Sequence, residues 1–204
     1  MYTSPEFQPC SETFSEKYAF VGPSIRSATE EIAKKRDKLI YISMGTVNND
    51  MLPFYKTCIS AFKNPAYQVI MSVGNLVALE DFGELPENVS VFSHIDQIAV
   101  LKQADVFVSH AGMNSVSESL YFAVPLVMLP QTTEQKGVAG RVLELGAGIK
   151  LDKSDAASLL SAVNEIFNDG TYQKNAEKIA EGFKICSGAK GAADKILKVC
   201  NKKK

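Results

Sequence analysis

The chain has 204 residues, 46% of them hydrophobic and 22% charged, and a formal net charge of -1. This is ordinary for a globular protein, long enough for one large domain or two small ones around a sizeable core. The balance offers no case for a nucleic-acid partner, which shows as a basic face; the terminal lysines, Lys202 to Lys204, read as a solvated end.

Four cysteines (Cys10, Cys58, Cys186 and Cys200) are widely spaced. None forms a Cys-x-x-Cys pair, so no zinc or thioredoxin-like reading arises. Scattered cysteines in an α/β pattern fit a reducing, cytoplasmic setting. The N-terminal stretch MYTSPEFQPC has no apolar signal core. No apolar run approaches the roughly 20 residues that cross a bilayer, so no membrane span is expected.

From Met1 to about Ser27, Pro5, Pro9 and Pro23 punctuate the sequence, and Phe7, Phe14, Tyr18 and Phe20 are isolated apolar anchors. Regular helix is not expected before Pro23; the aromatics point to an extended lead-in that packs on something. Ser27 to Lys38 is charged and can hold a short helix. Leu39 to Ser43 reads as a strand, with Met44-Gly45-Thr46 at its carboxyl end. Pro53 to Phe62 reads as a helix, with proline in its first turn. Strands follow at Tyr67 to Gly74 and Val89 to Phe92, then a short helix from Gln97 to Gln103. Asp105 to Ser109 is a strand, His110-Ala111-Gly112 a turn into a helix, and Leu126 to Leu129 a strand ending at Pro130. A helix after Gln135 ends near Leu145, and Gly148 to Leu151 is the last strand. Three helices complete the chain: one to Phe167 behind a Ser154 or Asp155 cap, one from Thr171 to about Cys186, and one from about Ala189 to Cys200. Strands that are apolar throughout and alternate with helices predict an α/β fold with a parallel sheet covered on both faces.

In such an open sheet, ligands bind beyond the carboxyl ends of the strands. The polar residues between Asp105 and Gln135 fall at two such ends. A helix start presents unpaired N–H groups and partial positive charge. Gly112 lets a ligand approach the main chain, Asn114 and Ser115 add donors, and His110 can donate an imidazole N–H. Together they suit a phosphate or diphosphate. On this turn alone an equal alternative stands, with Asn114 or Ser115 as a helix cap and His110 as a satisfied strand-end histidine. Neither GxxxxGK[ST] nor GxGxxG is present.

Glu118, on the same helix, can accept hydrogen bonds from vicinal hydroxyls, as on a ribose; the alternative is a solvent-facing glutamate. Glu134 and Gln135 suit adjacent sugar hydroxyls. Taken alone, they fit helix-start chemistry better, with Thr132 or Thr133 as the cap. His94 also follows a strand and can stack on a base. No GxSxG elbow and no metal-ligand cluster is visible.

As one ordered pattern, HAGMNSVSE, AVPLVMLPQ and Glu134-Gln135 resemble the nucleotide-sugar signature of family 1 glycosyltransferases, the UDP-glycosyltransferases, closest to the bacterial macrolide-glycosyltransferase type. YISMGT, LPENV and ELGAGIKL extend the resemblance over essentially the whole chain. It implies a Rossmann-like domain that is the C-terminal half of a GT-B fold and binds a UDP-sugar co-substrate without a cofactor or metal. His110, Gly112, Asn114, Ser115 and Thr46 would hold the diphosphate. Glu118 and Gln97 would bind the ribose, His94 and Ile95 the base, and Glu134 and Gln135 the donor sugar. Two departures stand out: His94 replaces the family's usual tryptophan, and Asp96 its usual proline.

The resemblance further implies inverting transfer of a hexose, with glucose expected, to a hydroxyl of a small-molecule acceptor. Acceptor site and catalytic base would belong to an N-terminal domain in cis, so no catalytic residue is expected in this chain. Residues 1–27 then read as the linker and tail of that domain, and 28–204 as the donor-binding domain. The alternative is a stand-alone donor-binding subunit of a two-component N-acetylglucosaminyltransferase.

Overall fold

The computed structural model describes residues 1–201; Lys202 to Lys204 lie outside the described residues. The unbroken apolar runs become six strands: β1 (Lys38–Ser43), β2 (Tyr67–Ser72), β3 (Val89–Phe92), β4 (Val106–Ser109), β5 (Leu126–Met128) and β6 (Gly148–Lys150). Between and after them lie α1 (Leu52–Ala61), α2 (Gln97–Leu101), α3 (Met113–Tyr121), α4 (Thr133–Glu144), α5 (Ala156–Asn168), α6 (Gly170–Ile185) and α7 (Gly188–Asn201). Strands and helices match their sequence expectations to within about two residues at most ends, the usual scatter of element boundaries. Among the described residues no helix is long and apolar enough to cross a membrane.

All strand pairs are parallel, in the order β3-β2-β1-β4-β5-β6. Side chains of a strand alternate between faces, and both faces are covered. Ile40 and Ile42 of β1 join one core with Phe54, Tyr55 and Cys58 of α1 and Leu159 and Val163 of α5. Leu39 and Tyr41 join the opposite core with Val116 and Leu120 of α3, Val142 of α4 and Ile179 and Phe183 of α6. Double coverage is the reason the inner strands β1, β4 and β5, buried almost throughout, carry no polar face. The edge strands β3 and β6 are short, which limits unpaired ladder groups.

The short helix expected over Ser27 to Lys38 is absent: no helix lies there. Tertiary partners hold the segment instead. The Lys35 N–H donates to Gln68 Oε1 at 2.6 Å, and Gln68 Nε2 donates to the Ala33 carbonyl at 3.1 Å. Lys34 pairs with Asp105 at 2.7 Å, and Arg36 donates to the Pro65 carbonyl. These bonds override a modest helix propensity.

Before Pro23 there is one 3-10 turn, Ser11–Thr13, and otherwise irregular chain. This lead-in is anchored on the body. Phe7 is 3% exposed, its ring 5.6 Å from that of Phe183. Arg141 donates to the Phe7 and Glu6 carbonyls at 2.7 and 2.8 Å.

The strand order reverses direction at β1, which pairs with β2 on one side and β4 on the other. Ser43 and Ser109, the last residues of β1 and β4, are register partners. Beyond them the connections part in opposite directions and leave a crevice, the position at which open α/β sheets bind ligands.

Candidate functional site

The crevice is a cavity of about 940 Å³. Thr46, His94, Ile95, Gln97, His110, Gly112, Asn114, Ser115, Glu118 and Glu134 all line it. Residues scattered over almost 90 positions therefore converge because each follows, or helps begin, an element at the carboxyl edge of the sheet.

Gln135 does not line it. Thr132 and Gln135 form a capping box at the start of α4: Thr132 Oγ1 accepts from the Gln135 N–H at 3.3 Å, and Gln135 Oε1 accepts from the Thr132 N–H at 3.2 Å. The Gln131 N–H donates to the same Oε1 at 2.8 Å. Glu134, exposed on the first turn of α4, is left facing the cavity.

Side chains cap the N-termini of α2, α4, α5 and α6, through Asp96, Thr132, Asp155 and Asp169. α3 differs. Its cap is Gly112, with no side-chain hydrogen bond. Asn114 and Ser115 lie inside the first turn and cap nothing. The first-turn N–H groups of α3, which have no partner within the helix, open into the cavity with the positive end of the helix dipole.

His110 sits between two glycines. A Cβ added to Gly112 would lie 2.5 Å from Nε2, and one added to Gly45 would lie 2.8 Å from the ring. Gly45 also has φ of 84°, the left-handed region that disfavours side chains. Between them Ala111 has φ of 63° and is fully buried, a strained conformation of the kind that gathers at ligand sites. His110 Nδ1 is buried without a well-formed hydrogen bond. Burial pulls the imidazole below its usual pKa, opposed by the Ser43 carbonyl and the Glu134 carboxylate.

Glu118 is held from the side. Gln97 Nε2 donates to Glu118 Oε2 at 2.6 Å, and the Tyr41 hydroxyl donates to Gln97 Oε1 at 3.2 Å. Burial pushes the Tyr41 phenol far above its usual range, so it stays a donor. One carboxylate oxygen of Glu118 is thereby engaged while the residue faces the cavity. His94 is exposed at the rim and Ile95 is buried beside it.

Sequence reasoning missed Asn49. It is 1% exposed and lines the cavity, Nδ2 donating to the Gly45 carbonyl at 3.0 Å while Oδ1 has no partner. A buried amide oxygen without a partner is costly unless a ligand donor meets it. Its signal was weak: an asparagine in a polar loop is buried only because Gly74, after β2, lets it approach.

The model of the family described as "Erythromycin biosynthesis protein CIII-like, C-terminal domain" matches residues 66–187. The chain belongs to that family. NDP-glycosyltransferase YjiC of Bacillus licheniformis is 41% identical over 198 residues, which cover 93% of this chain and 50% of that protein. The Bacillus subtilis protein described as "Uncharacterized UDP-glucosyltransferase YojK" is 36% identical over 210 residues, covering 100% of this chain and 52% of that protein. The calicheamicin glycosyltransferase CalG4 superposes with a TM-score of 0.89 at 30% identity, over 96% of this chain and 50% of its own. The chain thus spans about half the length of the curated relatives it matches. The likeness to bacterial UDP-glycosyltransferases and to the C-terminal half of a GT-B fold is borne out, and the family's domain accounts for the parallel sheet with its crevice at β1 and β4.

Proposed function

We propose that the crevice binds the nucleoside diphosphate of a sugar donor, and that the chain is the donor-binding half of an inverting glycosyltransferase. The observation that carries this reading is the uncapped N-terminus of α3, open to a cavity flanked by Glu118 and Glu134. The diphosphate lies against the first-turn N–H groups, with His110, Asn114, Ser115 and Thr46 around it and Gly112 permitting close approach. Glu118, oriented by Gln97, accepts from the ribose hydroxyls. His94 and Ile95 face the base. Glu134 meets the sugar hydroxyls from the cavity wall, and Gln135, outside that wall with its Oε1 in the cap, keeps its Nε2 for a hydroxyl of a sugar that extends past the cavity.

UDP is the favoured nucleotide and glucose the favoured sugar, in line with the name of the YojK relative. An acceptor hydroxyl oxygen attacks the anomeric carbon. The bond from that carbon to the diphosphate breaks, and the electron pair leaves with UDP. The acceptor proton passes to a base in an N-terminal acceptor-binding half in cis, of which residues 1–27 are the tail and linker, with 28–204 as the donor-binding unit. The residues of the crevice offset the charge that develops on the leaving diphosphate. A cytoplasmic setting goes with this reading.

A melting panel of nucleotides and nucleotide sugars tests it. UDP at about 100 times its dissociation constant adds roughly 2.7 kcal/mol, a rise of several degrees for a domain of this size. No rise with any uridine or thymidine diphosphate compound contradicts the reading.

A further inference from the structure

Asp96 does more than begin α2. It is 4% exposed, and its carboxylate accepts from the Ile98 and Ala99 N–H groups at 3.0 and 3.4 Å. It also accepts from Arg26 Nη2 at 2.6 Å, from the Thr29 N–H at 2.6 Å and from Thr29 Oγ1 at 2.8 Å. A carboxylate offers about four lone-pair sites, so these donors use its whole capacity. The two residues that hold it from outside its own helix turn are Arg26, at the end of the lead-in, and Thr29, in the segment of the expected helix.

The next residue, Gln97, is the first of α2 and the one that bonds Glu118. α2 has five residues, too few for its own ladder to fix its direction. Its start is fixed by Asp96. A continuous set of contacts therefore runs from the lead-in, through Arg26 and Thr29 to Asp96, and through Gln97 to Glu118. Arg26 lies within electrostatic range of Glu118 as well as Asp96.

We propose that Asp96, anchored by Arg26 and Thr29, is a positioning residue for the nucleotide: it sets the start of α2 so that Gln97 holds Glu118 toward the ribose hydroxyls. This rests on the donor-site reading above. Asp96 acts only through Glu118, so its effect is confined to ligands that have those hydroxyls.

The test is calorimetric titration of UDP and of 2′,3′-dideoxyuridine diphosphate into the wild type, Asp96→Asn, Arg26→Gln and Arg26→Lys. Asp96→Asn and Arg26→Gln are expected to weaken UDP roughly three- to tenfold, the worth of one oriented hydrogen bond, and to leave the dideoxy ligand unchanged. Arg26→Lys keeps the cation and recovers part of the loss. Equal weakening of both ligands, or no weakening of either, overturns the positioning role. If Asp96→Asn does not fold, Arg26→Gln carries the same comparison, because that side chain is half exposed. A wild type that binds neither ligand overturns the donor-site reading and this inference with it. A wild type that binds both equally well overturns the inference and leaves nucleotide binding standing.

Discussion

Gln97 Nε2 lies 2.6 Å from Glu118 Oε2, although 21 residues separate them in sequence. Tyr41 fixes the other end of the same amide, so Gln97 has a defined orientation rather than a choice of rotamers. Gln97→Ala is expected to weaken UDP binding roughly three- to tenfold with little change in melting temperature. Titration calorimetry checks it, and unchanged affinity would show that Glu118 needs no partner.

The two glycines around His110 separate steric from backbone effects. Gly112 has φ of -64° and ψ of 142°, which alanine adopts freely. Gly112→Ala should therefore melt near the wild type yet lose UDP affinity, because its methyl group displaces the imidazole and narrows the approach to the N–H groups. Gly45→Ala should also lose roughly 1–2 kcal/mol of stability, the cost of a left-handed alanine. Urea unfolding of both variants, paired with UDP titration, distinguishes the two outcomes.

His110 makes stability and binding respond oppositely to pH. Its folded pKa is pulled down by burial, so the stability tied to its neutral form is full above about 6.5 and is lost as pH falls through that value. A bound diphosphate favours the imidazolium, so affinity rises over the same fall. UDP-glucose affinity should increase between pH 8 and 5.5 in the wild type and stay flat in His110→Asn. Parallel slopes in the two proteins would remove His110 from the diphosphate site.

Asp96 gives an acid-side prediction. Its five donors, Arg26 foremost, hold the carboxyl well below the usual range against the opposing effect of burial. The stabilisation is full above the unfolded carboxylate pKa of about 3.9 and is lost as pH falls below it. Asp96→Asn should cost roughly 1.5–3 kcal/mol at pH 7, the worth of hydrogen bonds to a charged group. That difference should narrow by pH 2.5, as urea midpoints at the two pH values would report.

Strand positions were legible because a sheet covered on both faces needs unbroken apolar runs, and LIYIS and VFVS have no other use. The site was legible where chemistry and punctuation coincide, as at His110, Gly112 and Glu118. It was not legible where long-range contacts decide. Ser27 to Lys38 has a helical composition, yet bonds to Gln68, Asp96 and Asp105 hold it in a non-helical path. Asn49 is buried by Gly74 from a different strand end. For Gln135 the local Thr-x-x-Gln signal was the better guide to its Oε1, which serves the capping box.

The most direct measurement is a crystal structure of the chain with UDP. The diphosphate is expected within hydrogen-bond distance of the first-turn N–H groups of α3, with the ribose hydroxyls on Glu118. UDP bound elsewhere, or a crevice that stays free of nucleotide at saturating UDP, would contradict the account.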